Sequence, residues 1–424
     1  MKIEIRHGRV IDPAHGVDHS ASLYVAAGKI AALGEAPSGW QPNRVIDARG
    51  MVVAPGLVDL SARLREPGFE YKATLESELA AAVAGGVTSL ACPPDTDPPL
   101  DEPGLVEMLK HRARTLSLAH VYPVGALTAQ LAGTTLTEMG ELAEAGCVAF
   151  SHADMPILDT QLLWCAMQYA GTFGHRVWLR PQDAHLARGG VAHQGEVATR
   201  LGLPAIPAEA ETIALATIFA LVRATGVRVH IARLSTGEGV ALLRAAKADG
   251  LPVTADVAAH HLHLCDVDIG WFNSHAHVVP PLRGTRDRAA LREGVVDGTI
   301  DAICSDHTPV DDDAKQLPFA EAEAGATGLE LLLSLTLKWA EAEKVALPAA
   351  LSRITQLPAA ILGVAAGTLD AGAAADICIF DPDAYWRVER KSLRSQGKNT
   401  PFLGLEVPGR VRYTLVAGQV VYEG

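Results

Sequence analysis

Residues 228–257, RVHIARLSTGEGVALLRAAKADGLPVTADV, read as strand, helix, strand. The β-branched run RVHIARL gives way to an Ala- and Leu-rich stretch of helical spacing, and a second β-branched run, PVTADV, follows. Both strands are apolar along nearly their whole length, as expected for a parallel sheet covered on both faces. The same unit recurs outward in both directions. Eight candidate strands are legible: LVDLSA (57–62), VTSLA (87–91), HVYPVGA (120–126), CVAFS (147–151), RVWLR (176–180), RVHIARL (228–234), PVTADV (252–257) and DAICS (301–305). Each except the seventh is expected to lead directly into a helix. The seventh leads first into a His-rich loop, residues 259–283. Eight such units predict an α/β fold, a (β/α)8 TIM-type barrel over residues 56–364. An open doubly wound sheet is the weaker reading, because no G-x-G-x-x-G follows the first strand.

The two ends of the chain have a different texture. Residues 1–55 read as short alternating strands punctuated by Asp12-Pro13 and Gly28, and residues 365–424 do the same in DICIFD and VRYTLVAGQVVYEG. They are expected to form one small β-sandwich domain built from both termini. The 424 residues, 49% hydrophobic and 20% charged, suffice for a large core. A net charge of -13 and no clustered Lys or Arg argue against a nucleic-acid partner. The first residues, MKIEIRHGRVIDP, hold no apolar signal core, and no run of about 18 apolar residues is present to span a bilayer. A cytoplasmic protein without membrane contact is expected. Six scattered cysteines with no C-x-x-C pair read as small core residues.

In a barrel of this kind the chemistry sits where the strands end at their carboxyl side. Those ends carry Ser61 to Arg65, Asp95, Ser151 to Asp154, Arg180, His230 to Arg233, His260 and His261, and Asp306 to Pro309. The stretches PGLVDLSARLREPG (55–68), AGGVTSLACPPDT (84–96), VAFSHADMPILD (148–159), VTADVAAHHLHL (253–264), VVPPLR (278–283), DAICSDHTP (301–309) and GKNTPFLG (397–404) run in order along nearly the whole chain. In sequence and spacing the chain resembles dihydroorotase, of the amidohydrolase superfamily. The resemblance implies a metal-dependent barrel with a terminal β domain, acting on a cyclic amide in pyrimidine biosynthesis. In active family members zinc supplies the nucleophile and the Lewis acid by lowering the pKa of bound water toward about 7.

At the ligand positions the chain departs from the family pattern. The family's D-x-H-x-H on the first strand is here Asp59, Ser61 and Arg63; the acidic turn after the fourth strand is Ser151-His152-Ala153-Asp154, with Asp154 at the family's glycine; the fifth- and sixth-strand histidines are Arg180 and Arg233. A guanidinium stays protonated and has no lone pair to give. Of the expected ligands only Asp306 remains, and one carboxylate does not hold a binuclear centre. Arg65 keeps the family's substrate-carboxylate position, but Asp95 replaces an asparagine there and places a negative charge near an anionic substrate; Val279 and Val310 replace two further polar positions. The three arginines Arg63, Arg180 and Arg233 are expected to face the pocket as a fixed positive centre in place of the metals, countered by Asp306 and Asp59, leaving Arg65 as the residue free for an anion. His260, His261, His263, His275 and His277 read as solvated loop histidines rather than a displaced metal site, and Asp311 to Asp313 as a solvated loop.

A catalytically inactive member of the family, a pseudoenzyme holding no cofactor, is therefore expected. Family homologues with degenerate metal sites act as structural partners of aspartate carbamoyltransferase, so the resemblance implies that partner, and a homo-oligomer is expected. Two rival readings are an active cyclic-amide hydrolase with a single-zinc or altered site and Asp306 as base, and a small-anion binding protein built on the arginines.

Overall fold

The computed structural model describes residues 1–424. Five strands come first: β1 (Lys2–Asp12), β2 (Val17–Ala26), β3 (Lys29–Leu33), β4 (Arg44–Asp47) and β5 (Val52–Pro55). The barrel strands are β6 (Leu57–Asp59), β7 (Val87–Cys92), β8 (His120–Ala126), β9 (Ala149–Ser151) and β10 (Val177–Leu179). A two-strand ribbon, β11 (Ala192–His193) and β12 (Ala205–Ile206), precedes β13 (Val229–Ile231), β14 (Val253–Ala258) and β15 (Ala302–Cys304). The chain ends in β16 (Ile377–Arg387), β17 (Glu406–Val416) and β18 (Gln419–Glu423).

All eight strands expected from the sequence are present, paired in parallel in the order β6-β7-β8-β9-β10-β13-β14-β15. The ring closes through a parallel bridge between Ala62 and His307, beyond the regular strands at the carboxyl face. Alternation along each strand sorts its side chains between the two cores. Val177, Leu179, Val229 and Ile231 face out into the layer packed by helices, while Val58, Leu60, Val124, Trp178, Ala258 and Cys304 fill the barrel with Ala359, Ile361 and Leu362 of the helix Gln356–Leu362.

The composite domain of both termini is also present, its strands joined as one sheet in the order β18-β17-β16-β5-β1-β2-β3, with β4 beside β1. Its own core includes Ile3, Ile5, Leu23, Val25, Ile30, Ile46, Ile377 and Leu415. Gly56 carries the chain from this sheet into the barrel, where a Cβ would fall 2.1 Å from Thr88 Oγ1, so no other residue fits at the join.

One expectation about the connections fails. Strands do not lead directly into their helices at three places: residues 60–74 separate β6 from the helix Leu75–Ala84, residues 305–331 with the short helix Asp312–Gln316 separate β15 from Leu332–Glu343, and after the fifth strand residues 180–208 form an excursion containing the β11–β12 ribbon and the short helix Glu196–Leu201 before the helix Glu209–Thr225 begins. Pro181, Gly189, Gly190, Gly195, Pro204 and Pro207 interrupt helical continuation there.

The carboxyl-face loops are tied to the rest of the molecule by buried polar contacts. His307 Nε2 donates to Glu78 Oε2 at 2.5 Å, and Glu78 also accepts from Ser395 Oγ and Gln396 N. Asn399, fully buried, accepts from Val310 N at 3.0 Å and donates to the carbonyls of Thr308 and Gly325. Replacing it would strand three buried backbone groups. Asn399→Ala is therefore expected to lower stability by about 2 to 3 kcal/mol, read as a shifted midpoint in a denaturant titration.

Candidate functional site

The carboxyl mouth of the barrel is where the strand-end residues converge. Arg63, four residues beyond β6, is buried and makes four contacts: Nε donates to Asp95 Oδ2 at 2.7 Å, Nη2 to Asp154 Oδ2 at 2.6 Å, and Nη1 to Thr308 Oγ1 at 3.0 Å and Asp306 Oδ1 at 3.4 Å. Arg180, directly after β10, sets Nε 2.6 Å from Asp154 Oδ1 and donates from Nη2 to the Asp154 carbonyl at 2.7 Å. Its third nitrogen reaches the Gln182 side chain. Arg233, two residues beyond β13, donates from Nη1 to Asp306 Oδ1 at 3.0 Å and from Nη2 to Asp154. Three guanidiniums thus meet three carboxylates, Asp95, Asp154 and Asp306, and the formal charge of the group is zero.

Asp154 is the centre of this arrangement, touching all three arginines. Nothing in its position within the sequence marks it, since it stands where the family has a glycine. The chain turns at Ala153 with φ 50, and Asp154 emerges from that turn facing Arg63, Arg180 and Arg233. Arg65, Arg233 and Asp306 share the left-handed backbone, with φ 63, 56 and 46. For residues with a Cβ each such conformation costs on the order of 1 to 2 kcal/mol. It persists because ion pairs and hydrogen bonds fix the side chains: Arg233 N, for example, donates to Asp256 Oδ1 at 2.7 Å, and Asp256 is held in turn by buried His230 at 2.9 Å.

The electrostatics follow from the contacts. Burial works against the charge on Asp154, but Arg233, Arg63 and Arg180 outweigh it and hold the carboxyl well below the usual carboxylate range. Burial likewise opposes the charge on Arg63, and Asp95 and Asp154 outweigh it. At Asp306 burial wins and pushes the carboxyl up, with Arg233 and Arg63 in opposition. Arg180 is lowered by burial despite Asp154.

Several sequence-based expectations are corrected here. Asp59 is not a counter-charge to the arginines: fully buried, it accepts from Ser305 N at 2.7 Å and Ser305 Oγ at 2.5 Å, and burial raises its carboxyl to about 6. Arg65 is engaged at two of its three nitrogens: Nε donates to the Pro309 carbonyl at 2.8 Å, Nη2 lies 3.8 Å from Glu323, and the guanidinium covers the Phe69 ring. Asp95 is paired within the chain, with Arg63 Nε 2.7 Å from its Oδ2. His152 stands apart from the cluster, with Nε2 2.8 Å from Thr128 Oγ1 and Nδ1 2.7 Å from the Met155 carbonyl. Ser61 reaches only Asp306, at 3.4 Å.

Of the seventh-loop histidines, His260, His261 and His277 are buried rather than solvated, and His263 and His275 are half-buried. His260 and His261 are buried, and burial lowers both to about 3, so they are neutral at physiological pH. They lie in a 3-10 turn, Ala259–Leu262. The acidic run does face solvent, as expected, and Asp311 caps the short helix Asp312–Gln316. A cavity of about 170 Å³ lies beside the cluster, lined by His152, Arg180, Gln182 and apolar side chains of the loop after β9.

Loss of either central carboxylate leaves guanidiniums uncompensated. Asp306, only 5% exposed, is the better insulated, and Asp306→Ala is expected to cost about 3 to 5 kcal/mol in a denaturant titration. Asp154 is 31% exposed and partly screened, so Asp154→Asn is expected to cost less, about 2 kcal/mol. Because the folded carboxyl of Asp154 is lowered, its contribution is complete above the unfolded value near about 4 and is lost as pH falls through the folded one. The stability difference between wild type and Asp154→Asn should therefore be flat from about pH 5 to 8 and shrink in stronger acid.

Comparison with known proteins agrees with this architecture. Residues 50–239 match the dihydro-orotase-like family, and residues 185–421 match the amidohydrolase family. A dihydroorotase-like protein of Pseudomonas aeruginosa is 47% identical over 424 residues, covering 100% of both chains, and a dihydroorotase of Citrifermentans bemidjiense is 41% identical over 423 residues, again covering 100% of both. Among solved structures, an L-hydantoinase (dihydropyrimidinase) from Arthrobacter aurescens superposes with a TM-score of 0.89 at 24% identity, over 99% of this chain and 96% of that one, a likeness of fold. The chain belongs to the dihydroorotase-like family of amidohydrolases.

Proposed function

We propose that this chain is a catalytically silent dihydroorotase homologue, cytoplasmic and free of zinc, that serves as a structural partner of aspartate carbamoyltransferase. The observation that carries the reading is the closed ion-pair group at the barrel mouth, where Arg63, Arg180 and Arg233 are neutralised by Asp95, Asp154 and Asp306. The donor set there does not fit the zinc that the family implies. Guanidiniums stand at three ligand positions, and the two carboxylates that reach the centre are already committed to them. Asp12, His15 and Asp370 come together elsewhere, on the terminal domain, where Asp12 already accepts from Leu369 N and Ala14 N.

The same group weighs against both rivals. Asp306 as a catalytic base would need a free carboxylate, whereas it accepts from Arg63 and Arg233. An anion site at the mouth would need positive charge in excess, and the group holds none. The partnership rests on a contrast: change is confined to the mouth, while the frame that supports it is whole, including the His307–Glu78 pair, the Asn399 lock and the closing bridge. A frame kept whole without chemistry is what an interface requires.

The purified protein is expected to hold no stoichiometric zinc by elemental analysis and not to interconvert dihydroorotate and carbamoyl aspartate; two zinc ions per chain from a metal-replete preparation would sink the reading. Restoring Ser61→His with Arg63→His should not recover turnover, since Arg180, Arg233 and Asp154 still fill the mouth. Co-expression with the transcarbamoylase of the same source should give a co-eluting assembly of larger size and higher stability. Identical size, stability and activity with and without this chain would remove the partnership.

A further inference from the structure

A second cavity, of about 280 Å³, opens at the opposite, amino end of the barrel, beside the starts of β10, β13 and β14 and the helix Gln356–Leu362. Its walls are apolar where Leu251, Val253 and Ile361 line it. Two arginines also line it, Arg176 and Arg228, one residue before β10 and β13. Neither forms a salt bridge. Arg228 Nη2 donates to the Gly174 carbonyl at 2.6 Å. For Arg176 the charged neighbour is Arg228, and burial together with that like charge lowers its guanidinium. Gly363 leaves the space that Arg176 occupies, for a Cβ there would come within 2.4 Å of both terminal nitrogens.

Deeper in the same cavity lies Trp178, 4% exposed, whose buried Nε1–H has no hydrogen-bond partner. Buried donors left unmade cost on the order of 1 to 3 kcal/mol, and they are filled in most proteins. His230, also lining the cavity, is satisfied by Asp256 and Thr254. Two uncompensated cations at the rim, apolar walls and one orphan donor inside form a complementary set. Its counterpart is a molecule with an anionic group at one end, a flat or branched apolar body, and an acceptor at the other.

We propose that this cavity binds a small organic carboxylate of about one aromatic ring in size, with Arg176 and Arg228 taking the carboxylate and Trp178 donating to an acceptor at the far end. The site is separate from the barrel mouth and does not depend on whether the mouth has chemistry. Its place at the end of the barrel away from the strand carboxyl termini, where such folds put stability rather than catalysis, makes it a ligand site and not a reaction centre.

The test uses the full chain labelled with fluorotryptophan, whose six tryptophans give separate fluorine resonances, Trp178 being assigned by its loss in Trp178→Phe. Titration with para-hydroxybenzoate should move the Trp178 resonance saturably, and the neutral para-hydroxybenzamide should bind about tenfold more weakly or less well still. Arg228→Ala, at an exposed side chain that leaves folding intact, should weaken the carboxylate by about tenfold, and the double variant with Arg176→Ala by more. No saturable shift up to roughly 10 mM, a ligand at the weak end of specific binding, overturns the proposal. So does equal affinity for acid and amide, or affinity unchanged by Arg228→Ala.

Discussion

The neutralisation of three guanidiniums by three carboxylates at the mouth of the barrel is the constraint on which this structure turns. Buried like charges repel strongly, and Arg63, Arg180 and Arg233 all converge on the one side chain of Asp154. Here the positive charge is covalently part of the chain. The carboxylates of Asp154 and Asp306 are met directly by the arginines. The group is balanced within itself.

That balance also holds the barrel shut. The ring of strands ends at Ala62 and His307, and Asp306 sits beside that bridge, accepting from Arg63 on one side of the seam and Arg233 on another strand. The left-handed backbone at Arg65, Ala153, Arg233 and Asp306 places strain around the same rim. Such strain persists only where the surroundings over-determine it, and the salt bridges around the rim do so here. The neutral histidines His260 and His261 behind the rim keep the added positive charge from growing further.

The two ends of the barrel contrast in this respect. At the carboxyl end Arg63, Arg180 and Arg233 have their counter-ions within the chain. At the amino end Arg176 and Arg228 have none, and Trp178 carries a donor without an acceptor. A balanced end is finished as structure, and an unbalanced one is complementary to something else.

The eight strands and the composite terminal sheet were legible in the sequence because they rest on local periodicity: β-branched runs that bury both faces, and turns set by glycine and proline. The residue types at the strand ends were legible too, and type alone tells a guanidinium, with no lone pair to give, from an imidazole. What pairs with what was not. Asp154 reads as an acid in a glycine's place, and only the turn at Ala153 makes it the hub of the cluster. Asp59 reads as a counter-charge on the same strand as Arg63, yet it faces Ser305 on the neighbouring strand across the seam. Arg65 reads as free, yet Pro309 and Glu323, more than 240 positions away, have already engaged it. Sequence fixes which side chains leave each strand end, because backbone geometry is local. Which charge meets which is decided by loops that approach from distant parts of the chain, and only the folded barrel brings them together.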